Sequence, residues 1–219
     1  MRFLRKWIQQ YKHAWVFLYV LLYMPWFIWL EKHVTEEFYL IHSPLDDLIP
    51  FSEIFIIPYM LWFAYIAVTI LYFFFMDKSG FYRLVTFLFT GMTLFLVICT
   101  IFPNGLDLRP DTFVRDNIFT DMVRTLYQTD TPTNVLPSIH VFNSIGAYIA
   151  ISHNETLRKS PLIHYGSLVL STLIILSAMF LKQHSVIDVV SAILLASILY
   201  SIIYIPHTAK ARTLANQTS

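Results

Sequence analysis

Residues 84–106 read LVTFLFTGMTLFLVICTIFPNGL and contain no Asp, Glu, Lys or Arg. A helix rises about 1.5 Å per residue, so crossing a bilayer takes roughly 20 consecutive apolar residues. A charge-free stretch of this length therefore predicts a transmembrane helix, and its closing Pro-Asn-Gly predicts where that helix ends.

Five more stretches without a charged residue are found at 14–30, 54–76, 131–154, 160–181 and 189–209. The six windows hold 130 of the 219 residues, so all 29 charged side chains lie in the remainder. Charged residues make up only 13% of the chain, against about 25% in ordinary globular proteins. The sequence therefore predicts an all-α, polytopic membrane helix bundle with six transmembrane helices, and it excludes the soluble and disordered classes.

The windows favour a single integral membrane domain covering residues 1–219. The first span and an interfacial loop occupy 1–53, the core of the bundle occupies 54–206, and a polar tail occupies 207–219. The first window follows a basic segment, as in a signal peptide. It is rich in aromatic residues and no small-residue cleavage site follows it, so we interpret it as an uncleaved span.

The distribution of Lys and Arg predicts the orientation of the bundle. Six spans put both termini on one side, which carries ten of these residues. The opposite side carries five: Lys32, Arg109, Arg115, Arg124 and Lys182. The positive-inside rule then places the termini in the cytoplasm and the loops 31–53 and 103–136 on the extracytoplasmic side. We expect a multi-pass protein of the plasma membrane.

Composition also limits the partners and cofactors. The formal net charge is only +1 and no basic stripe is present, so nucleic acid is not an expected partner. The single cysteine, Cys99, allows neither an intramolecular disulfide nor a CxxC metal site. Acidic residues in the loops are spread along the sequence and form no recognisable metal-ligand motif, so no metal is expected.

Three polar clusters fall on the predicted extracytoplasmic face: Leu108-Arg109-Pro110, Pro137-Ser138-Ile139-His140 and the segment from Lys182 to Asp188. In the third cluster, His184 and Asp188 are four residues apart and share a helix face. A carboxylate that binds one imidazole nitrogen makes the other more basic. His184 is therefore a candidate nucleophile or base, the alternative being an ordinary polar helix end.

The second cluster has the signature of a helix N-terminus, which suits an anion such as phosphate. Ser138 would add a hydroxyl donor, and His140 would enter the membrane with the helix, where it needs a polar partner or a cavity. The alternative is a capped helix whose histidine binds a neighbouring carbonyl. Arg109 could donate two hydrogen bonds to a phosphate, although the arginine of an Arg-Pro pair in a loop is usually exposed to solvent.

Together the clusters supply the parts of histidine-mediated phosphoryl transfer. That chemistry needs a nucleophilic imidazole, a carboxylate to orient it, an acid for the leaving oxygen, and cationic or N–H donors around the phosphoryl oxygens. All four kinds of group lie in one compartment beside the lipid.

The order of these motifs resembles that of the type-2 phosphatidic acid phosphatase superfamily, which includes lipid phosphatases and vanadium haloperoxidases. Its motifs are Lys-x6-Arg-Pro, Pro-Ser-Gly-His and Ser-Arg-x5-His-x3-Asp. This chain has Arg109-Pro110, then Pro137 to His140, then Ser177-x6-His184-x3-Asp188. The resemblance covers roughly residues 54–206, and it extends to the six-helix layout.

Three positions depart from the family pattern. Phe102 stands where the first motif has Lys, Ile139 replaces the Gly of the second, and Ala178 replaces the Arg of the third. Two of the usual phosphate-binding cations are therefore missing. Lys182 is the predicted substitute for one of them, and Arg115 or Arg124 could fold in as well.

The resemblance implies a role for each matching residue. His184 would attack phosphorus and form a phosphohistidine, Asp188 would orient it, and His140 would protonate the leaving group. The phosphoryl oxygens would be held by Arg109, Ser138 and Lys182. The reaction implied is metal-independent, uses no cofactor, and takes a lipid phosphate at the extracytoplasmic face.

Three functions remain open at this point. The first is a phosphatase acting on a membrane lipid phosphate or diphosphate. The second is a sphingomyelin-synthase-like transferase, which passes the phospho-headgroup to a lipid hydroxyl. The missing cations fit that alternative, because a phosphodiester carries less charge. The third is a non-catalytic relative or a small transporter.

Overall fold

The computed structural model describes residues 9–35 and 37–206. The predicted tail 207–219 lies outside the described residues, as does most of the basic N-terminal segment on which the orientation partly rests. The α-helices of the described part are α1 Val20–His33, α2 Pro44–Leu48, α3 Ile56–Met76, α4 Lys78–Ile101, α5 Ile118–Thr129, α6 Ile139–His153, α7 Glu155–Lys159, α8 Pro161–Phe180 and α9 Val186–Ile203. Two 3₁₀ segments, Lys12–Tyr19 and Glu53–Phe55, lead into α1 and α3.

Within the described ranges, five helical segments are long and apolar enough to cross a membrane: Lys12–His33, Glu53–Met76, Lys78–Ile101, Pro161–Phe180 and Val186–Ile203. They correspond to five of the six charge-free windows. The all-α class and the character of an integral membrane helix bundle are therefore confirmed.

The helix in the window 131–154 begins where the Pro137-Ser138 signature predicts, so it is shorter than the charge-free window. Pro137 has no N–H group, and the Ser138 hydroxyl accepts a hydrogen bond from the Val141 N–H, so α6 begins only at Ile139. Its 15 residues rise about 22 Å, less than the roughly 30 Å of a hydrocarbon core. The prediction of six full-length transmembrane helices is thus not confirmed.

Helix α6 lies in the middle of the bundle, where it packs against α3, α4, α8 and α9. At its start, the Ser138 N–H donates to the Asp188 carbonyl at 3.2 Å. At its end, Asn154 Nδ2 donates to Asp77 Oδ2 at 3.1 Å, beside the turn between α3 and α4. The helix therefore connects the end of the bundle where α9 begins to the opposite end.

Two glycines allow the central helices to approach closely. A Cβ atom on Gly91 of α4 would lie 2.1 Å from the ring of Phe142 on α6. A Cβ atom on Gly146 of α6 would lie 2.8 Å from the ring of Phe87. The Phe87 and Phe142 rings are stacked with centroids 4.8 Å apart, so α4 and α6 pack closely at this point.

The loops at the α9 end are joined by a short parallel pairing of β1 (Tyr39–Leu40) with β2 (Asn104–Gly105). The buried side chain of Asn104 adds a second connection. Its Oδ1 accepts from the N–H groups of Val135 and Leu136, both at 2.9 Å, and its Nδ2 donates to the Phe102 carbonyl at 2.7 Å. Asn104 thus fixes the end of α4 to the segment that leads into α6.

We predict that Gly91→Ala lowers the free energy of unfolding by about 1–3 kcal/mol, because the added methyl group overpacks the Phe142 contact. Thermal unfolding of the detergent-purified protein measures this. Gly166→Ala in α8 is the matched control, because a Cβ atom there meets nothing within 4 Å. Equal stability of both variants would contradict the packing argument.

Candidate active site

A buried carboxylate at the start of α9 both caps that helix and faces His184. Ser185 is the N-cap, and its N–H donates to Asp188 Oδ2 at 2.9 Å. The same oxygen lies 3.4 Å from His184 Nδ1. Asp188 is fully buried and His184 is 8% exposed. The structure therefore brings together the two residues that the i, i+4 spacing pairs, and it leaves His184 Nε2 facing away from the carboxylate.

His140 lies opposite this nitrogen. It occupies the first turn of α6, and its Nδ1 is 3.4 Å from His184 Nε2. Its ring is flanked by the rings of Tyr59 and Trp62, with centroids 4.6 Å and 4.4 Å away. The partner of this membrane-embedded histidine is thus the second histidine and not a neighbouring carbonyl. A group bonded to His184 Nε2 would lie within reach of His140.

Ser138 connects the start of α6, which carries His140, to the start of α9, which follows His184. Its N–H donates to the backbone carbonyl of Asp188, and its hydroxyl caps α6. The side chain is fully buried and does not line the cavity beside the histidines. The structure thus places Ser138 between α6 and α9, and its predicted contact with phosphate stays a prediction.

Arg109 reaches the site through a glutamine. Its Nη2 donates to Gln183 Oε1 at 2.9 Å, its Nη1 donates to the Tyr127 carbonyl at 3.2 Å, and its guanidinium lies 4.5 Å from the centre of the Tyr127 ring. Gln183 is 4% exposed, and its Nε2 has no hydrogen-bond partner in the described part of the chain. Gln183 is not one of the fixed residues of the sequence motifs, and its adjacency to His184 is the only signal in the sequence that points to it.

A cavity of about 440 Å³ opens beside the histidines. Both histidines and Gln183 line it. Most of its apolar lining comes from α1, α3 and α4 and includes Tyr23, Phe27, Trp62, Phe63, Met92 and Phe95. A mainly apolar cavity with a few convergent polar groups is typical of a binding site for a small amphipathic molecule.

The cavity lining carries acidic side chains, whereas the sequence predicts phosphate-binding cations at the site. Among the described residues that line it there is no Lys or Arg, but there are two carboxylates, Glu31 and Asp130. Burial raises the pKa of the Asp130 carboxyl above its ordinary value, and the charges of His184 and Arg109 offset only part of this rise. Neither acid belongs to a sequence motif, so neither is predicted from the sequence.

No group of three or more His, Cys, Asp or Glu side chains that could hold a metal ion occurs in the described ranges.

The cations proposed as substitutes lie elsewhere. Lys182 Nζ donates to the backbone carbonyls of Asp46 and Ile49, at 2.7 Å and 2.6 Å, and Lys182 does not line the cavity. Arg115 and Arg124 pair with acidic side chains outside the cavity. Lys182 lines a separate small pocket that His184 also lines, whereas Arg115 and Arg124 line neither pocket, and the phosphate-binding role of all three stays a prediction.

Asp46 connects the first loop to the start of α9. Its Oδ2 accepts from Ser185 Oγ at 2.6 Å and from the Ser43 N–H at 2.8 Å, and its Oδ1 accepts from the Val186 N–H at 2.8 Å. The residue is 2% exposed. A Ser-Pro-x-Asp capping pattern at residues 43–46 could have revealed the local helix, but nothing in the sequence shows the contact with α9.

Comparison with known proteins identifies one family. The family model described as the PAP2 superfamily matches residues 84–212, which is more than half of the chain. The matched region includes Arg109, His140, His184 and Asp188. No curated protein and no solved structure gives a significant match.

We predict that Asp46→Asn lowers the free energy of unfolding by about 1–3 kcal/mol, because an amide cannot accept all the hydrogen bonds that the buried carboxylate accepts. Thermal unfolding in detergent is the measurement. Asp47→Asn is the control, since the neighbouring carboxylate is 65% exposed and binds only the exposed His42 side chain. A comparable loss in both variants would argue against the role assigned to Asp46.

Proposed function

The chain belongs to the PAP2 superfamily, whose members are generally phosphatases, and we propose that it hydrolyses a membrane lipid phosphate or diphosphate through a phosphohistidine on His184. One observation carries the proposal. Nδ1 of His184 lies 3.4 Å from the buried Asp188 carboxylate, while its Nε2 faces His140 at the same distance beside an amphipathic cavity.

In the first step, His184 Nε2 attacks phosphorus and the bond from phosphorus to the lipid oxygen breaks. A proton on His140 passes to that leaving oxygen, so the lipid departs as a neutral alcohol, or as a phosphate from a diphosphate. The positive charge that develops on His184 is stabilised by Asp188. The phosphoryl group is then held as phosphohistidine.

In the second step, water attacks phosphorus and the bond to Nε2 breaks. His140, now neutral, takes the proton from the water, and inorganic phosphate leaves. The unpartnered Nε2 of Gln183 is placed to donate to a phosphoryl oxygen, and Arg109 polarises that amide through its Oε1. In this proposal Arg109 acts on the phosphoryl group only through Gln183, whereas Ser138 and Lys182 stabilise the surrounding backbone.

We propose that α6 completes six membrane crossings, that the termini are cytoplasmic, and that the site faces the extracytoplasmic side of the plasma membrane. The contacts of α6 with both ends of the bundle and the unequal distribution of Lys and Arg support this arrangement. The lipid tail would lie along the apolar lining that α1 and α3 provide.

Phosphate release from phosphatidate and from a polyprenyl diphosphate tests the proposal. We expect release to continue in the presence of a chelator. His184→Ala should lower it more than about a thousandfold, because the nucleophile is lost, and His140→Ala by about 10²–10⁴-fold, because the acid is lost. His42→Ala, at an exposed position, is the control. Release that persists in His184→Ala would exclude the phosphohistidine.

A second function, transfer of a phospho-headgroup to a lipid hydroxyl, is favoured by the absence of Lys and Arg from the described cavity lining. A phosphodiester carries one negative charge fewer than a fully ionised monoester and needs fewer cations. We expect an added lipid alcohol to divert the product from a free headgroup phosphate to a new phosphodiester lipid if this function holds. Mass spectrometry of the extracted lipids distinguishes the two products.

A further inference from the structure

We propose that Glu31 and Asp130 form an acidic subsite for the ammonium group of a lipid headgroup, so that the preferred substrate is a phosphodiester lipid with a positively charged headgroup. The inference rests on the second proposed function, the transfer of a phospho-headgroup through His184, and specifies the substrate class of that reaction. Both carboxylates line the same cavity as His140 and His184.

The Glu31 carboxylate is held in place by neutral donors. Thr131 Oγ1 donates to its Oε2 at 2.5 Å, and Asn134 Nδ2 donates to its Oε1 at 2.8 Å. These contacts orient the carboxylate and leave its charge without a Lys or Arg partner in the described part of the structure. Placing a carboxylate in a largely apolar cavity is costly unless a cation joins it, and a ligand could bring that cation.

Unpartnered polar atoms in the cavity lining also favour a cation as the ligand. Oδ1 of Asn134 and Oδ1 of Asn143 have no hydrogen-bond partner in the described ranges, although these residues are only 6% and 3% exposed. Both side chains line the cavity. Amide oxygens and carboxylates only accept hydrogen bonds, so this part of the lining suits a donor or a cation and not a phosphate.

The donor side of the cavity is at His184. Gln183 Nε2 is an unpartnered buried N–H group next to it, and Trp62 Nε1 is another, beside His140. A zwitterionic headgroup would therefore place its phosphate between Gln183 and His184, and its ammonium group toward Glu31 and Asp130. The rings of Tyr59 and Trp62 line the cavity and could add cation–π attraction. The Tyr59 hydroxyl, which donates to Asp130 Oδ2 at 3.3 Å, fixes that carboxylate near the histidines.

With such a substrate, the bond that breaks first joins phosphorus to the diacylglycerol oxygen, and His140 supplies the proton that makes the leaving group neutral. The phospho-headgroup stays bonded to His184 Nε2. Water or a lipid hydroxyl then attacks phosphorus, gives its proton to His140, and releases Nε2. The products are diacylglycerol and either a free phospho-headgroup or a new phosphodiester lipid.

The test is a binding measurement on the catalytically inactive His184→Ala protein in detergent, with short-chain phosphatidylcholine and short-chain phosphatidylglycerol. The two lipids share the phosphodiester and differ in the ammonium group. We expect phosphatidylcholine to bind about tenfold more tightly, a difference of about 1.4 kcal/mol. Adding Glu31→Gln or Asp130→Asn should remove most of this preference, because each removes one charge and keeps the shape of the side chain.

Asp121→Asn in the same background is the control, since this carboxylate is 66% exposed and pairs with Arg124. It should leave the preference unchanged. Two variants in the subsite keep the test valid if one of them fails to fold. Equal affinity for the two lipids, or a preference that survives both substitutions, would overturn the subsite.

Turnover by the protein with His184 intact separates the two proposals. Preferential binding of phosphatidylcholine without turnover of any lipid would support the subsite and refute the proposed chemistry. His184-dependent release of phosphate from phosphatidate, together with equal binding of the two short-chain lipids, would support the phosphatase and refute the subsite.

Discussion

The arrangement of the site depends on the buried carboxylate of Asp188. One of its oxygens accepts the Ser185 N–H and lies beside His184, and its backbone carbonyl accepts the Ser138 N–H at the start of α6. Helix ends near lipid leave N–H groups that must find partners within the protein. Because one residue satisfies this need for two helices, the positions of both histidines follow from the way α6 and α9 begin. The proposed catalytic role of Asp188 therefore cannot be varied independently of its role in capping.

The loops around this residue use charged side chains as structural partners of the backbone. Asp46 accepts from the start of α9, and Lys182 donates to carbonyls of the first loop. Phe102 and Ala178, at two positions where the family pattern has a cation, are used for packing: the Phe102 ring stacks on Tyr39 with centroids 4.6 Å apart, and Ala178 is fully buried. The departures from the family motif are thus accommodated by the fold.

The sequence predicts features that depend on local spacing. Charge-free windows identify the long helices, and the four-residue interval from His184 to Asp188 anticipates their proximity. It does not predict features that depend on distant partners. Lys182 is separated by more than 130 residues from the carbonyls it binds, and Glu31 by about 100 from its donors. The start of α6, by contrast, could be inferred, because Pro137 and Ser138 mark a helix N-terminus, and the helix begins at Ile139.

The missing cations and the acidic lining have a single physical interpretation. A phosphatase that binds a doubly charged monoester must supply positive charge from its own side chains, and here Arg109 reaches the cavity only through Gln183. A substrate that carries its own ammonium group needs less positive charge from the protein and benefits from carboxylates at the other end of its headgroup. Glu31 and Asp130 would also repel a simple anionic lipid phosphate. In the second proposed function, the same two acids would therefore favour a zwitterionic lipid over phosphatidate.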